Sequence, residues 1–209
     1  MLSQNFFNID AQELAKKLLG KVIRVTYKST VLSAMIIETE AYYLNEKASH
    51  ASLGYTEKRK ALFMPAGTIY MYYARGSDSF NVSAKGEGNA VLIKAGVPYL
   101  EDDSSKNMLV LMHELNPVNQ RLRPIHRLCS GQTLLCKSLN LKVPVWDKQN
   151  FCEKFYIEDV GYCPKTIIQT TRLGIPKGRD EHLPYRFIDK AYVKSATENP
   201  LTKRKYKIV

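Results

Sequence analysis

The sequence lacks the features that would place it in a membrane or at a metal. No apolar run approaches the roughly 18 to 20 residues that a membrane-spanning helix needs. Residues 1–21 carry neither the basic start nor the long apolar stretch of a signal peptide. We therefore expect an intracellular protein with no membrane partner. The four cysteines form no CxxC pair, so we expect free thiols rather than a zinc site or disulfides.

Several well-known catalytic signatures are also missing. The chain contains no GxxxxGK[ST] loop, no HExxH helix and no Ser–His–Asp order. The short GEG at 86–88 is too small for a phosphate loop and is more typical of a turn. The sequence therefore gives no sign of a P-loop enzyme, a zinc protease or a triad hydrolase.

Acidic residues are scarce relative to basic ones. Asp plus Glu number 20 against 31 Lys plus Arg, which gives a net charge of +11 over 209 residues. Such an excess favours a polyanionic partner, either nucleic acid or an anionic membrane surface, and charge alone does not choose between them. No repeat or linker divides the chain, so we expect one domain over 1–209 with a mobile basic tail at 203–209.

Hydrophobic periodicity predicts an α+β fold. An amphipathic helix capped by Asp10 is expected over 10–20, a long polar segment over 43–66 is expected to be irregular, and a short helix is expected within 131–141. Strands are expected in these segments: two within 21–42, then 68–73, 80–83, 90–94, and two near 170–175 and 185–195. Turn-like residues between the third and fourth runs predict a hairpin tip near Arg75 and Gly76.

The stretch MIIETEAYYLNEKASHAS combines strand-forming residues with two glutamates. Because side chains alternate along a strand, Glu38, Glu40 and Tyr42 would share one face. Ile37 and Thr39 would then lie on the other. The two carboxylates would be about 7 Å apart, as in sugar-inverting hydrolases, although every i, i+2 pair has this spacing. A half-solvated strand with its polar side in water remains the alternative.

Tyrosines are concentrated around these glutamates, with six of them within the 32 positions 42–73. Tyr70 and Tyr72 would share one strand face, where tyrosines commonly pack across a sheet. Together with His50 and the positive charge, the rings favour a slot for a flat polar ring such as a nucleobase. A glutamate in such a pocket could act as a general base on a water molecule.

Several segments, in order, resemble the alkyladenine (3-methyladenine) DNA glycosylase family. They are IIETEAY, MPAGTIYMYYARG, NVSAKGEGNAVLIKA, LCSGQTLLCKSLNL, TTRLGI and YRFIDKAYVKS, together with the histidine that follows Tyr42 by eight positions. The similarity covers nearly the whole chain. Separate motifs at proper spacing make it far more specific than one short pattern.

The resemblance implies a role for each candidate site residue. Glu40 would activate the water that attacks C1′ of the flipped nucleotide. The base pocket would be formed by Tyr42, His50, Tyr70, Tyr72 and Asn81. Of these, Tyr42, His50 and Tyr72 would sandwich the base, and Tyr70 would support the pocket beside His50. Asn81 would line the floor and clash with the 2-amino group of guanine.

The sequence departs from the family at two of these positions. The family commonly inserts a tyrosine wedge into DNA, and here Arg75 occupies that position, with Tyr73 two residues earlier. The family's arginine beside the catalytic water is here Lys94, which keeps the charge and loses the forked guanidinium.

The resemblance also implies the rest of the biochemical picture. We expect a monofunctional, monomeric enzyme with no metal or cofactor, acting on double-stranded DNA that carries a damaged purine. It would work in a bacterial cytoplasm, at the nucleoid, or in a nucleus. The fold would be a single compact domain around a curved antiparallel sheet, with a protruding β-hairpin that inserts into DNA. Two alternatives stay open: a binding module of the same fold that does not cut, and a hydrolase of small nucleosides.

Overall fold

An antiparallel sheet organises the computed structural model, which describes residues 1–101, 105–118 and 121–209. Within these ranges the strands are β1 (Val22–Tyr27), β2 (Thr30–Tyr42), β3 (Ile69–Ala74), β4 (Ser77–Ser83), β5 (Ala90–Pro98), β6 (Phe155–Glu158), β7 (Ile167–Thr170), β8 (Arg186–Asp189) and β9 (Tyr206–Ile208). Their order is β3-β4-β5-β2-β8-β7-β9, and β1 pairs with both β2 and β6. Because β2 pairs with β1, β5 and β8, it is the central strand.

Short helices cover and flank the sheet. The α-helices are α1 (Gln4–Phe7), α2 (Ala11–Leu18), α3 (Ser105–Leu115), α4 (Gln132–Ser138), α5 (Val143–Trp146) and α6 (Pro200–Lys203). The 3-10 helices are His50–Leu53, Lys60–Phe63, Ile125–Arg127 and Lys190–Tyr192. Helix α2 begins as predicted, because the Asp10 side chain accepts hydrogen bonds from the first free N–H groups. The predicted α+β class is confirmed, and the elements form a single compact domain around an open sheet.

Strand β2 contains an irregularity that its sequence does not reveal. Its register with β5 shifts on both sides of Glu38. Thr39 faces α2, where its Oγ1 donates to the Ala15 carbonyl at 2.8 Å. Ile37 instead packs in a separate apolar cluster with Met35. The prediction that Ile37 shares a face with Thr39 was therefore wrong, since a bulge inserts one residue and reverses the alternation.

The predicted hairpin is present between β3 and β4. Ala74 pairs with Ser77, which leaves Arg75 and Gly76 as the two turn residues. Both have positive φ, 50° and 75° respectively. Two left-handed residues match the twist of the flanking strands, which is why two-residue loops of this kind close hairpins.

The C-terminal half differs from expectation in two places. Strand β7 ends at Thr170, so most of the segment 170–175 is a loop rather than a strand. The tail predicted as mobile carries strand β9, which pairs with β7. Thr170 Oγ1 also donates to the Lys205 carbonyl at 2.7 Å. Strand β9 therefore lies at the edge of the sheet, and its three side chains are exposed.

Two further expectations concern cysteines and membranes. Cys129 and Cys136 are buried, and Cys152 and Cys163 are exposed, with all four thiols free. Within the described ranges, no helix has the length and apolar character needed to cross a bilayer.

Candidate active site

A cleft of about 930 Å³ gathers most of the candidate residues. Its walls come from the β3–β4 hairpin, the 3-10 helix His50–Leu53, the start of α4 and the segment 173–176. The predicted residues that line it are Tyr42, His50, Tyr70, Tyr72, Arg75, Asn81 and Lys94. Residues spread over more than fifty positions of the sequence therefore meet in one concavity.

Glu40 lies beneath this cleft with none of its surface exposed. The Tyr42 hydroxyl donates to Oε2 at 2.8 Å, and the Leu173 backbone N–H donates to Oε1 at 3.1 Å. The Lys94 ammonium lies 3.6 Å from Oε1. A buried carboxylate normally needs such partners, and here they come from β2, β5 and the loop after β7.

Glu38 is also buried, but both of its oxygens are engaged elsewhere. Arg186 Nε donates to Oε1 and the Thr197 N–H donates to Oε2, each at 2.7 Å. The buried charge of Glu38 is therefore matched directly by the guanidinium of Arg186.

One wall of the cleft is aromatic. The ring centroids of His50 and Tyr72 lie 4.4 Å apart in an edge-to-face arrangement. The Tyr70 ring stacks on Tyr72 with 5.6 Å between the centroids. The Tyr70 hydroxyl and His50 Nδ1 share a hydrogen bond of 2.9 Å. Desolvation lowers the pKa of His50, and the positive charges of Arg59 and Arg179 act in the same direction. The imidazole is therefore neutral at physiological pH and lines the cleft beside Tyr72.

Tyr42 also lines the cleft, and its ring contacts a cation. The Arg172 guanidinium lies 4.5 Å from the Tyr42 ring centroid and 5.4 Å from that of Tyr185. Burial, followed by the charge of Glu40, raises the pKa of Tyr42 well above its ordinary value. The phenol is consequently a neutral hydrogen-bond donor. Among the described residues it makes no ring contact with His50 or Tyr72, whose rings line the same cleft.

Asn81 is almost completely buried at the side of the cleft. Its Nδ2 donates to the Tyr70 carbonyl at 3.2 Å across the β3–β4 ladder. This bond fixes the amide within the strand pair and keeps it beside the Tyr70 ring.

The hairpin tip holds the two candidate wedge residues. Tyr73 is 58% exposed, and Arg75 is exposed at the turn itself. Arg75 also lines the cleft, where its Nη2 would lie 3.9 Å from a Cβ added to Gly174. Strand β4 is anchored close to this tip, because Asp78 accepts from the Val143 N–H at 2.9 Å.

Sequence reasoning missed three residues around Glu40. Leu173 contributes only a backbone N–H, for which no side-chain signal exists. Arg172 ion-pairs with Glu46 at 2.5 Å and donates to the Ala41 carbonyl. Gln132 accepts a hydrogen bond from Lys94 at 3.0 Å. Of these three residues, only Arg172 could have been suspected from the sequence, because a lone arginine in an apolar segment often pairs with a buried acidic residue.

The comparisons with known proteins agree on one family. The protein-family model described as methylpurine-DNA glycosylase matches residues 5–192 of this chain. A protein named "Putative 3-methyladenine DNA glycosylase" from Pseudomonas aeruginosa is 60% identical over 96% of this chain and 84% of its own length. A protein of the same name from Pseudomonas syringae pathovar tomato is 60% identical over 96% of this chain and 91% of its own. Another, from Clostridium botulinum, is 36% identical over 92% of this chain and 98% of its own.

These matches, with the aromatic cleft and its buried carboxylate, define a DNA N-glycosylase, a hydrolase of N-glycosyl bonds that acts in DNA repair. The chain belongs to the methylpurine-DNA glycosylase family and is of the 3-methyladenine type.

Proposed function

We propose that the enzyme removes damaged purines that have been flipped out of duplex DNA into this cleft. The substrates would be alkylated adenine, hypoxanthine and ethenoadenine, and the product an abasic site. A base inside a duplex cannot reach a buried carboxylate, so extrusion is needed for chemistry at its sugar. We further propose that one monomer acts on double-stranded DNA without a metal or cofactor.

Glu40 is the proposed general base. The observation that carries the proposal is its full burial at the bottom of an aromatic cleft, with Lys94 3.6 Å from Oε1. The carboxylate takes a proton from a water as the water oxygen bonds to C1′ and the C1′–N bond breaks, so the purine leaves with the bonding electrons. The Lys94 ammonium balances the charge of the buried carboxylate until the proton is taken. An N-alkylated purine carries a positive charge and leaves as a neutral base, so a single positioned base suffices for it, whereas hypoxanthine or ethenoadenine takes up a proton from solvent as it leaves.

The aromatic walls are proposed to hold the extruded base. Tyr42 would stack on one face, and His50 and Tyr72 on the other, with Tyr70 supporting His50 through their hydrogen bond. Arg172 occupies the back of Tyr42, which leaves only the cleft face of that ring for a base. Asn81 at the side would meet the 2-amino group of guanine and disfavour it.

The hairpin tip is proposed to fill the vacated stack. Arg75 would insert from the minor groove, because it stands at the apex and its planar guanidinium can stack between base pairs. Tyr73 is the second candidate, since its ring is largely exposed near the same tip.

The test is base release from a duplex carrying one hypoxanthine or one ethenoadenine, followed by alkaline cleavage at abasic sites. Glu40→Gln should lower the single-turnover rate by about 10²-fold or more, because the amide cannot take a proton. It should still bind the duplex, since glutamine keeps the shape of the side chain: its Oε1 can accept from the Leu173 N–H and its Nε2 can donate to the Tyr42 hydroxyl. Release by Glu40→Gln at the wild-type rate would reject Glu40 as the base.

A further inference from the structure

Gln132 links two parts of the active site that are far apart in the sequence. It is the first residue of α4 and lines the cleft. Its Oε1 accepts a hydrogen bond of 3.0 Å from the Lys94 ammonium. Lys94 is only 8% exposed, and Gln132 is its one hydrogen-bond acceptor among the described side chains.

The distance from Lys94 to Glu40 is unusual for a buried pair of opposite charges. Charge-assisted N–H···O bonds are normally about 2.7–2.9 Å long, whereas the ammonium stays 3.6 Å from Glu40 Oε1. A buried ammonium without another acceptor would move onto the carboxylate, because attraction is strong at low dielectric. The Gln132 carbonyl provides that other acceptor and fixes the direction of the ammonium.

The separation matters for the water that the carboxylate must activate. Oε1 already accepts from the Leu173 N–H, and Oε2 accepts from Tyr42. A direct bond from Lys94 would take up a further lone pair of Oε1 and stabilise the carboxylate, which would make Glu40 a weaker base. When Gln132 binds the Lys94 ammonium, the positive charge stays near Glu40, and the remaining lone pair of Oε1 is left for the water.

Gln132 also contacts the base pocket. Burial raises the pKa of Tyr72, while the nearby Ser79 and Gln132 act to lower it. The amide that binds Lys94 therefore lies in the same cleft as the Tyr72 ring. The position of a lysine ammonium depends on such an acceptor, because the ammonium is a point charge on a flexible chain, whereas a guanidinium is a rigid planar fork.

We propose that Gln132 is a positioning residue, which holds Lys94 away from Glu40 and thereby keeps Glu40 available to the attacking water. The inference rests on the proposed role of Glu40 as general base. The charged or titratable groups around Glu40 are Tyr42 on its own strand, Tyr72 on β3, Lys94 on β5, Arg172 after β7 and Arg186 on β8. None of them takes the place of Gln132 as an acceptor for Lys94: Arg172 and Arg186 only donate, and among the described residues neither tyrosine hydroxyl is hydrogen-bonded to Lys94.

The experiment compares single-turnover release of hypoxanthine across pH for wild type, Gln132→Ala and Gln132→Glu. In Gln132→Ala the rate should fall by about tenfold to a hundredfold, as a misplacement of about 1 Å at a reacting group can cause. The acidic limb of its pH–rate profile should also move to lower pH, because a closer ammonium stabilises the carboxylate. Gln132→Glu keeps an acceptor for Lys94, so it should recover a large part of the rate and return the limb towards the wild-type position.

Controls separate this proposal from a general effect on the fold or on DNA binding. Lys137→Ala, at an exposed position of the same helix that does not line the cleft, should keep the wild-type profile. A Gln132→Ala profile with an unmoved acidic limb would overturn the positioning role, even if the rate fell. If Glu40→Gln were as active as wild type, the proposed function itself would fail, and that result is distinct from a failure confined to Gln132.

Discussion

At the scale of single residues, Glu38 and Glu40 lie two positions apart on β2 and differ in the hydrogen bonds that they accept. Glu38 and Glu40 are both fully buried. Glu38 is held by two strong bonds of 2.7 Å from Arg186 and Thr197. Glu40 has a weaker set, with its nearest cation 3.6 Å away. The difference in hydrogen bonding, rather than in burial, therefore separates a structural carboxylate from a candidate base.

The Arg172–Glu46 pair gives a prediction about stability and pH. Arg172→Met should destabilise the protein by about 3–5 kcal/mol, because it leaves a buried carboxylate without its cation. Burial raises the pKa of Glu46, while the attraction of Arg172 lowers it. Losing that attraction raises the pKa further, so the folded variant binds its proton more tightly than the unfolded chain does. That favourable contribution is complete below the unfolded pKa of about 4.3 and is lost as pH rises through the folded pKa.

Arg172→Met should consequently be more stable at pH 5 than at pH 8. Urea unfolding of this variant and of Arg172→Met/Glu46→Gln at both pH values checks the prediction. The double variant should lose this pH dependence and regain part of the stability. An equal pH dependence in both would show that Glu46 is not its source.

At the scale of elements, the hairpin combines anchored strands with an exposed tip. On β3 the Met71 N–H donates to Asp147 at 3.0 Å, and on β4 Asp78 accepts from the Val143 N–H. Arg75→Ala should reduce base flipping more than Tyr73→Ala does, because Arg75 lies at the apex and also faces the cleft. Since unstacking costs a few kcal/mol, we expect about a tenfold loss in the flipping equilibrium.

The measurement is the fluorescence rise of ethenoadenine as it leaves the stack, followed by stopped flow. Ser77→Ala, beside the turn, serves as the control and should behave as wild type. A larger loss in Tyr73→Ala would transfer the wedge role from Arg75 to that ring.

The sequence predicted those elements that depend on residues close together in the chain. Helix α2 and the β3–β4 hairpin follow from a cap and a turn, which involve neighbours in the chain. The bulge in β2 was missed, because it depends on pairing with β5 more than fifty residues later. The family resemblance supplied the candidate residues of the cleft. The contact of Gln132 with Lys94 could be found only from the three-dimensional structure, because it joins residues 38 positions apart.

At the scale of the whole molecule, the charge of +11 is expected to act through particular positions rather than uniformly. Arg179 lines the cleft and is held by donating from Nε to the Lys47 carbonyl at 2.9 Å. Lys205 lies on the exposed tail, beside strand β9 at the sheet edge. A cation oriented at the cleft should meet a phosphate, while one at a distant edge should remain solvated.

Binding of undamaged duplex, measured by fluorescence anisotropy across a salt series, distinguishes the two positions. Arg179→Gln should reduce the slope of log K against log salt by about 1, because one phosphate contact is lost. Lys205→Gln removes the same charge and should leave the slope unchanged. Equal reductions in both variants would mean that DNA responds to total charge, and the cleft would then have no special role in gathering the phosphates. A reduction in Arg179→Gln alone would place the DNA backbone across the mouth of the cleft, where extrusion of a base must occur.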